Sequence, residues 1–246
     1  MEGVRTRVVL VRLERLIVAQ RRLVSLFLAV VVPSVVIFLI GQFDSAFDQF
    51  AKTSLKAAWS TPWGFFTYIF VHKNFEHLAA NIVLFAVALV MFALTEMLLE
   101  EGERKRREGF LIGSVLAIAV IAILLVSLLE PTSSAVGASG VVYAAIGVAA
   151  GFALLNVMAF AFHGRKVTGF FRGALFVTTA NLGVFLLLVV WAFNWGFLGA
   201  AEGVNLPGHI LAFGGGLIAA LVYELGRGLG RRTRTRRGHC SSSPSE

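Results

Sequence analysis

The fold is decided by residues 110–129, whose sequence is FLIGSVLAIAVIAILLVSLL. This run carries no charged side chain, and a helix of about 20 residues spans about 30 Å, the thickness of the hydrocarbon core of a bilayer. The rest of the chain has the same character, since 57% of its 246 residues are hydrophobic and only 15% are charged. The mean hydropathy is +0.81. This composition excludes a soluble domain and indicates a multi-pass membrane protein.

Five further apolar runs flank this stretch on both sides. The six predicted spans are 23–41, 78–99, 110–129, 141–162, 173–193 and 210–223, the last needing its flanks within 208–225 to cross. Lys and Arg residues collect before the first span, in the second and fourth connections and after the sixth span, whereas the alternate loops hold only three lysines. Because basic residues collect on the cytoplasmic side, we predict an all-α membrane protein, a six-helix bundle with both termini cytoplasmic.

The flanks of the bundle are basic. We predict a basic surface segment at 1–22, one six-helix domain at 23–226 and a disordered basic tail at 227–246. The net charge of +8 is explained by orientation in the lipid bilayer, so we predict no nucleic-acid partner. The single cysteine, Cys240, allows no intramolecular disulfide.

Residues 136–143, VGASGVVY, place one hydroxyl between two glycines where the fourth span begins. The unpaired N–H groups and partial positive charge of a helix N-terminus favour a developing anion beside Ser139. Glycine neighbours let another group approach that hydroxyl closely. Alone, the same residues also fit a small-residue packing face in a membrane helix.

Three other polar side chains stand near the ends of even-numbered spans. His77 and Asn81 share one face of the second helix, and His209 opens the sixth. Each also fits an interhelical hydrogen-bonding role. If the predicted orientation holds, these groups and Ser139 lie at one depth, at the outer side of the membrane. His209 is then a suitable base for Ser139, and His77, Asn81 and the Ser139 N–H are suitable oxyanion donors.

A metal site is the rival interpretation of the two histidines. His77, Asn81 and a distant His209 lack the carboxylate or cysteine ligands expected of zinc. We therefore predict no metal and no cofactor.

In combination these residues resemble the rhomboid family of intramembrane serine proteases, over residues of about 63–225. The matching positions are His72, His77 and Asn81 on the second helix, Gly137-x-Ser139-Gly140 with Tyr143 on the fourth, and His209 with Ala212 and Gly216 on the sixth.

The resemblance implies a serine–histidine dyad that cleaves transmembrane segments of membrane proteins through an acyl-enzyme. Ser139 would be the nucleophile and His209 the base, while Tyr143 would pack on His209 and orient it. His72 would have a supporting or merely structural part. Gly137 would leave room beside the oxyanion, and Gly140 would let the sixth helix approach. We expect the fourth and sixth helices to pack through small residues, namely Gly140, Ala144, Gly147, Gly151, Ala212, Gly216 and Ala220.

The sequence departs from the family in two places. The Trp-Arg pair of the outer loop is Trp63-Gly64 here, and the glutamate expected low on the second helix has no clear match, although Glu96 and Glu100 are near. A pseudoprotease that binds transmembrane segments without cleavage, and a small transporter, are the alternative functions. The compact form predicts a multi-pass protein of a prokaryotic plasma membrane, with its oligomeric state left open.

Overall fold

The computed structural model describes residues 20–43, 67–96, 99–129, 138–162, 176, 178–184, 187 and 206–239, without the side chains of 160, 162 and 228–239. Several predicted features lie outside these residues. They are most of the segment 1–22, Trp63, Gly137, most of the fifth span and Cys240.

Every regular element in the described ranges is helical. The elements are α1 (Arg21–Phe43), a 3-10 helix (Tyr68–Phe70), α2 (Phe75–Glu96), α3 (Glu101–Leu129), α4 (Ser139–Phe162), α5 (178–184) and α6 (Leu206–His239). Within the described residues α1, α2, α3, α4 and α6 are each long and apolar enough to cross a membrane. The all-α membrane class is confirmed in these ranges, while the count of six spans and the side on which the termini lie remain predictions.

Polar signals move two helix starts from the predicted positions. α2 starts at Phe75 because the Asn74 side chain accepts a hydrogen bond from the His77 N–H at 2.8 Å, which is an N-cap. α3 starts at Glu101, well before the apolar run, with Glu101 and Glu103 in its first turn. Carboxylates are favourable beside the positive end of a helix.

The C-terminal tail begins as helix, since α6 continues to His239. Disorder further along the predicted segment 227–246 stays a prediction. Arginine is a good helix former, and a helix already nucleated in the membrane extends at little cost. The basic residues after Arg227 therefore prolong the last helix.

α4 is the central helix of the bundle. In its most apolar window 78% of the residues are buried, against 22–44% in the other four candidate spans. The consecutive residues Val141, Val142, Tyr143 and Ala144 are all buried, and at 3.6 residues per turn they lie on all sides of this helix. A helix that is apolar all round belongs inside a bundle. The chain thus places Ser139 at the end of its most enclosed helix.

α4 and α6 touch through their backbones. A Cβ atom added to Gly147 would lie 2.1 Å from the Phe213 carbonyl oxygen, and one added to Gly216 would lie 2.4 Å from the Ala144 oxygen. At Gly151 an added Cβ would be 2.8 Å from the Cβ of Ala220. The predicted small-residue packing of these two helices is confirmed at these positions.

Candidate active site

Ser139 is the first residue of α4 and is 7% exposed. The carbonyl of Ala138, just before it, accepts a hydrogen bond from the Val142 N–H at 3.0 Å and so begins the helical ladder. The first N–H groups of the helix have no acceptor inside it, and together they carry a partial positive charge. The prediction that this serine opens the fourth helix is confirmed.

His72 links the chain before α2 to the start of α4. Its Nδ1 lies 3.2 Å from the Phe70 carbonyl oxygen, and its Nε2 accepts a hydrogen bond from the Ala138 N–H at 3.3 Å. Because a carbonyl can only accept, the proton sits on Nδ1. Burial, reinforced by the nearby His77, lowers the pKa of His72 to about 4, against the effect of the bond to Phe70. A neutral ring therefore holds the backbone next to Ser139.

His77 and Asn81 lie one turn apart on α2, near His72. The rings of His72 and His77 meet edge to face, with their centroids 5.4 Å apart. Asn81 is 5% exposed, and its Nδ2 has no hydrogen-bond partner among the described residues. Asn81, His72 and Ala138 line one small cavity. A buried donor without an acceptor is unusual in a folded protein, and Asn81 carries it beside the cavity next to the start of α4.

His209 is brought to α4 by Tyr143. The two rings stack with their centroids 4.4 Å apart and their planes at 30°. His209 lies in the first turn of α6 and is 6% exposed. Tyr143 is four residues after Ser139, so the two side chains lie on one face of α4. The expected contact of Tyr143 with the histidine is confirmed, and it brings His209 to the residue one helical turn after Ser139.

Gly140 needs a correction. We expected it to face the sixth helix, but a Cβ added there would lie 3.5 Å from Ala119 of α3 and 3.5 Å from the Tyr68 hydroxyl. At this end of α4 the Tyr143 and His209 rings fill the space next to α6. Gly140 therefore borders α3, and an alanine would make ordinary contacts there.

Two supporting residues escaped the sequence reasoning. The Tyr68 hydroxyl donates to the Ala119 carbonyl at 3.3 Å and fixes the 3-10 helix against α3. No sequence signal marks this pair, which is 51 residues apart. Asn74 caps the helix that carries His77, and an asparagine just before an apolar run is a recognisable helix start.

The structure brings six predicted residues to one end of the bundle. They are Ser139, Tyr143, His209, His72, His77 and Asn81. This set combines a hydroxyl on Ser139, a histidine packed against Tyr143 on the same face of α4, and an amide donor on Asn81 without a partner among the described residues. Acyl transfer requires a nucleophile, a base and donors of these kinds. Among the described residues no group of three or more His, Cys, Asp or Glu side chains could hold a metal ion.

Comparison with known proteins bears on the same region. The family profile described as Rhomboid domain matches residues 60–225. A search of curated protein sequences gives no match. The matched range includes every predicted site residue, and it covers more than half of the chain. This chain belongs to the rhomboid family.

Proposed function

We propose that this chain is an intramembrane serine endopeptidase, with Ser139 as nucleophile and His209 as general base. The observation that carries the proposal is the stack of His209 on Tyr143, at 4.4 Å between ring centroids, one helical turn from Ser139. A serine hydroxyl becomes nucleophilic when a neighbouring base takes its proton. Membership of the rhomboid family supports the same reaction class.

The reaction proceeds in two halves. Ser139 Oγ attacks the carbonyl carbon of the scissile peptide while His209 accepts the hydroxyl proton, and a tetrahedral oxyanion forms. The intermediate collapses, the carbon–nitrogen bond breaks, and His209 returns the proton to the leaving amine. Water, activated by the same histidine, then hydrolyses the ester on Ser139 and restores the enzyme.

The oxyanion is stabilised by the Ser139 N–H and by donors from α2. Asn81 Nδ2 supports this part of the proposal, because it has no acceptor among the described residues and is therefore available to an oxyanion. His77 is the second donor from α2. His72 holds the Ala138 N–H and so fixes the start of α4. No cofactor takes part.

The substrates are transmembrane segments of other membrane proteins. Five helices of the described part of the chain are long and apolar enough to cross a membrane, and the site lies at one end of the bundle. By the distribution of Lys and Arg, that end is the outer face of a plasma membrane. A substrate helix must unwind before its carbonyl reaches Ser139, so small or helix-destabilising residues favour cleavage.

Cleavage of a reconstituted transmembrane substrate tests the proposal. We expect wild type to produce two fragments, and Ser139→Ala or His209→Ala to lower kcat by on the order of 10⁴-fold or more. Ser127→Ala is the matched control, because Ser127 is also buried but bonds the Leu124 carbonyl of its own helix. It should cleave like wild type.

Two results of this cleavage assay would contradict the proposal. Equal product from wild type and Ser139→Ala would assign the activity to a contaminant. Binding of the substrate by folded wild type with no cleavage would favour the pseudoprotease instead.

A further inference from the structure

Arg107 joins three helices at the end of the bundle opposite to Ser139. It lies on α3, and only 8% of its side chain is exposed. Its Nη1 donates to Glu96 Oε1 at 3.0 Å and to Asn156 Oδ1 at 2.9 Å. Its Nε donates to Glu224 Oε1 at 2.9 Å. One guanidinium thus binds an acceptor from each of α2, α4 and α6.

The same three helices carry the proposed catalytic groups. Each acceptor of Arg107 follows a site residue of its own helix by 15 to 17 positions. The pairs are Asn81 and Glu96 on α2, Ser139 and Asn156 on α4, and His209 and Glu224 on α6. At 1.5 Å per residue the separations are about 22–26 Å. The guanidinium therefore meets the three helices at nearly equal distances from the site.

A second arginine extends this charged cluster. Arg227 on α6 donates to Glu224 Oε1 at 3.0 Å and to Glu103 Oε2 at 2.7 Å. The Arg107 guanidinium also lies over the Phe152 ring of α4, 4.6 Å from its centroid. Glu224 thus binds both arginines, and α6 is joined to α3 at two points.

The burial of this charged cluster limits how much it can contribute to the stability of the fold. Glu96 is fully buried, so its charge loses hydration that a single hydrogen bond from Arg107 to Oε1 has to replace, since Oε2 has no partner among the described residues. Buried ion pairs often add little net stability, and their best-attested use is to fix register. Arg107 has a planar set of donors that matches only one arrangement of three acceptors. A slip of α3 by one helical turn, about 5.4 Å, would break all three bonds, and the same slip of α2, α4 or α6 would break the bond of that helix.

We propose that Arg107 is a positioning residue that fixes the relative heights of α2, α4 and α6, and through them the geometry of the distant site. The proposal rests on the proposed function, since it concerns the alignment of Ser139, His209 and Asn81. Arg107 touches none of the reacting atoms. It acts because rigid helices carry a displacement from one end of the bundle to the other.

Arg107→Met tests the proposal, with Arg106→Met as the matched control. Arg106 is on the same helix but is half exposed and pairs with Glu103 of α3 itself. Both variants remove one positive charge. For Arg107→Met in proteoliposomes we expect kcat on the folded fraction to fall about 100-fold, as for a displacement of about 1 Å, with KM changed less than threefold. Arg106→Met should keep the kcat of wild type.

A second variant separates positioning from stability. Glu96→Gln, Arg107→Met and Glu224→Gln together leave no unpaired charge at these three positions, so this triple variant should unfold at a higher temperature than Arg107→Met. Its kcat should stay low, because nothing then fixes the register. If it folds and cleaves with a kcat within threefold of wild type, the proposal is wrong. The proposal is also wrong if Arg107→Met is destabilised but its folded fraction keeps the kcat of wild type.

Hydrogen exchange gives a readout that needs no cleavage. We expect the backbone amides in the first two turns of α6 to exchange faster in Arg107→Met than in Arg106→Met. Unchanged exchange overturns the proposed coupling, whatever the activity. Faster exchange in a protein whose wild type cleaves nothing would sustain the coupling and refute the protease function. If Arg107→Met does not fold, Arg107→Lys carries both measurements, because lysine keeps the charge but not the planar donors.

Discussion

Gly147→Ala should misalign the site through a single methyl group. The new Cβ would lie 2.1 Å from the Phe213 carbonyl oxygen and 3.0 Å from the Leu217 nitrogen, both backbone atoms of α6. Contacts of a Cβ below 3.0 Å are essentially never seen, so α6 has to move by about 1 Å. Gly147 is one turn from Tyr143, and Phe213 is one turn from His209.

The magnitude follows from these contacts. Overpacking costs about 1–3 kcal/mol, while the better helix propensity of alanine returns up to about 1 kcal/mol. A net loss of about 1–2 kcal/mol in the free energy of unfolding is therefore expected. A 1 Å misplacement costs about 10²-fold in rate, so the effect on kcat should exceed the effect on stability.

The assay pairs substrate cleavage in proteoliposomes with thermal unfolding in micelles. Gly113→Ala on α3 is the control, because a Cβ there would meet no atom within 4 Å. It should raise stability by about 0.5–1 kcal/mol through helix propensity and leave kcat unchanged. If Gly147→Ala matched Gly113→Ala in both measurements, α4 and α6 would not be in backbone contact at this position.

Three further predictions concern neighbouring contacts. Gly216→Leu should abolish cleavage, because its Cβ would lie 2.4 Å from the Ala144 oxygen. Gly140→Ala should still cleave, because its Cβ would meet atoms no closer than 3.5 Å. Equal cleavage activities in the two variants would contradict this contrast. His72 has a pKa lowered to about 4 by burial, so the unfolded chain binds its proton first as pH falls below about 6.5. Between pH 6.5 and 4 the free energy of unfolding of wild type should therefore fall more steeply than that of His72→Gln, by up to about 1.4 kcal/mol per pH unit. Unfolding temperatures measured across this range test the difference, and parallel pH profiles for the two proteins would contradict the low pKa of His72. Asn181→Ala should lower the free energy of unfolding by about 1 kcal/mol, since Asn181 Nδ2 donates to the Met91 carbonyl and to Thr95 Oγ1 of α2. Thr179 is exposed, so Thr179→Ala should leave the free energy of unfolding unchanged. An equal loss in both variants would contradict the contribution of these hydrogen bonds.

The helices could be predicted because hydrocarbon leaves the backbone no other partners. Runs such as 110–129 have to form helices in a bilayer, and polar residues at their ends are few enough to single out. Ser139, His77 and His209 were found in this way, since each is costly in a membrane unless it has a use. The contact of Tyr143 with His209 came from the family resemblance and was confirmed by the ring geometry.

The charged cluster around Arg107 could not be predicted in the same way. In the sequence, Arg107 ends the run Arg104–Arg107, which looks like an ordinary basic connection between spans. Its partners are 11, 49 and 117 residues away, and only the packed bundle brings them together. Glu96 was noted only as lying near a position where the family has a glutamate. In the structure Glu96 is buried and bonded to Arg107.

Gly140 shows a second limit of prediction from sequence. Its spacing to Ala144 and Gly147 matches a small-residue face, yet it borders α3 and Tyr68. Sequence spacing gives the face of a helix but not the point at which a neighbouring helix leaves it. Here α4 contacts α6 through the rings of Tyr143 and His209. The backbones of the two helices meet one turn later, at Gly147.

The backbone contacts at Gly147 and Gly216 also restrict how this protein can evolve. Every other standard amino acid carries a Cβ, so neither position has a conservative replacement. A lineage that lost either glycine would have to re-form the crossing of α4 and α6 before it could recover a working serine and histidine. Such a change needs several substitutions at once, and these two positions should therefore vary more slowly than the surrounding membrane-facing residues.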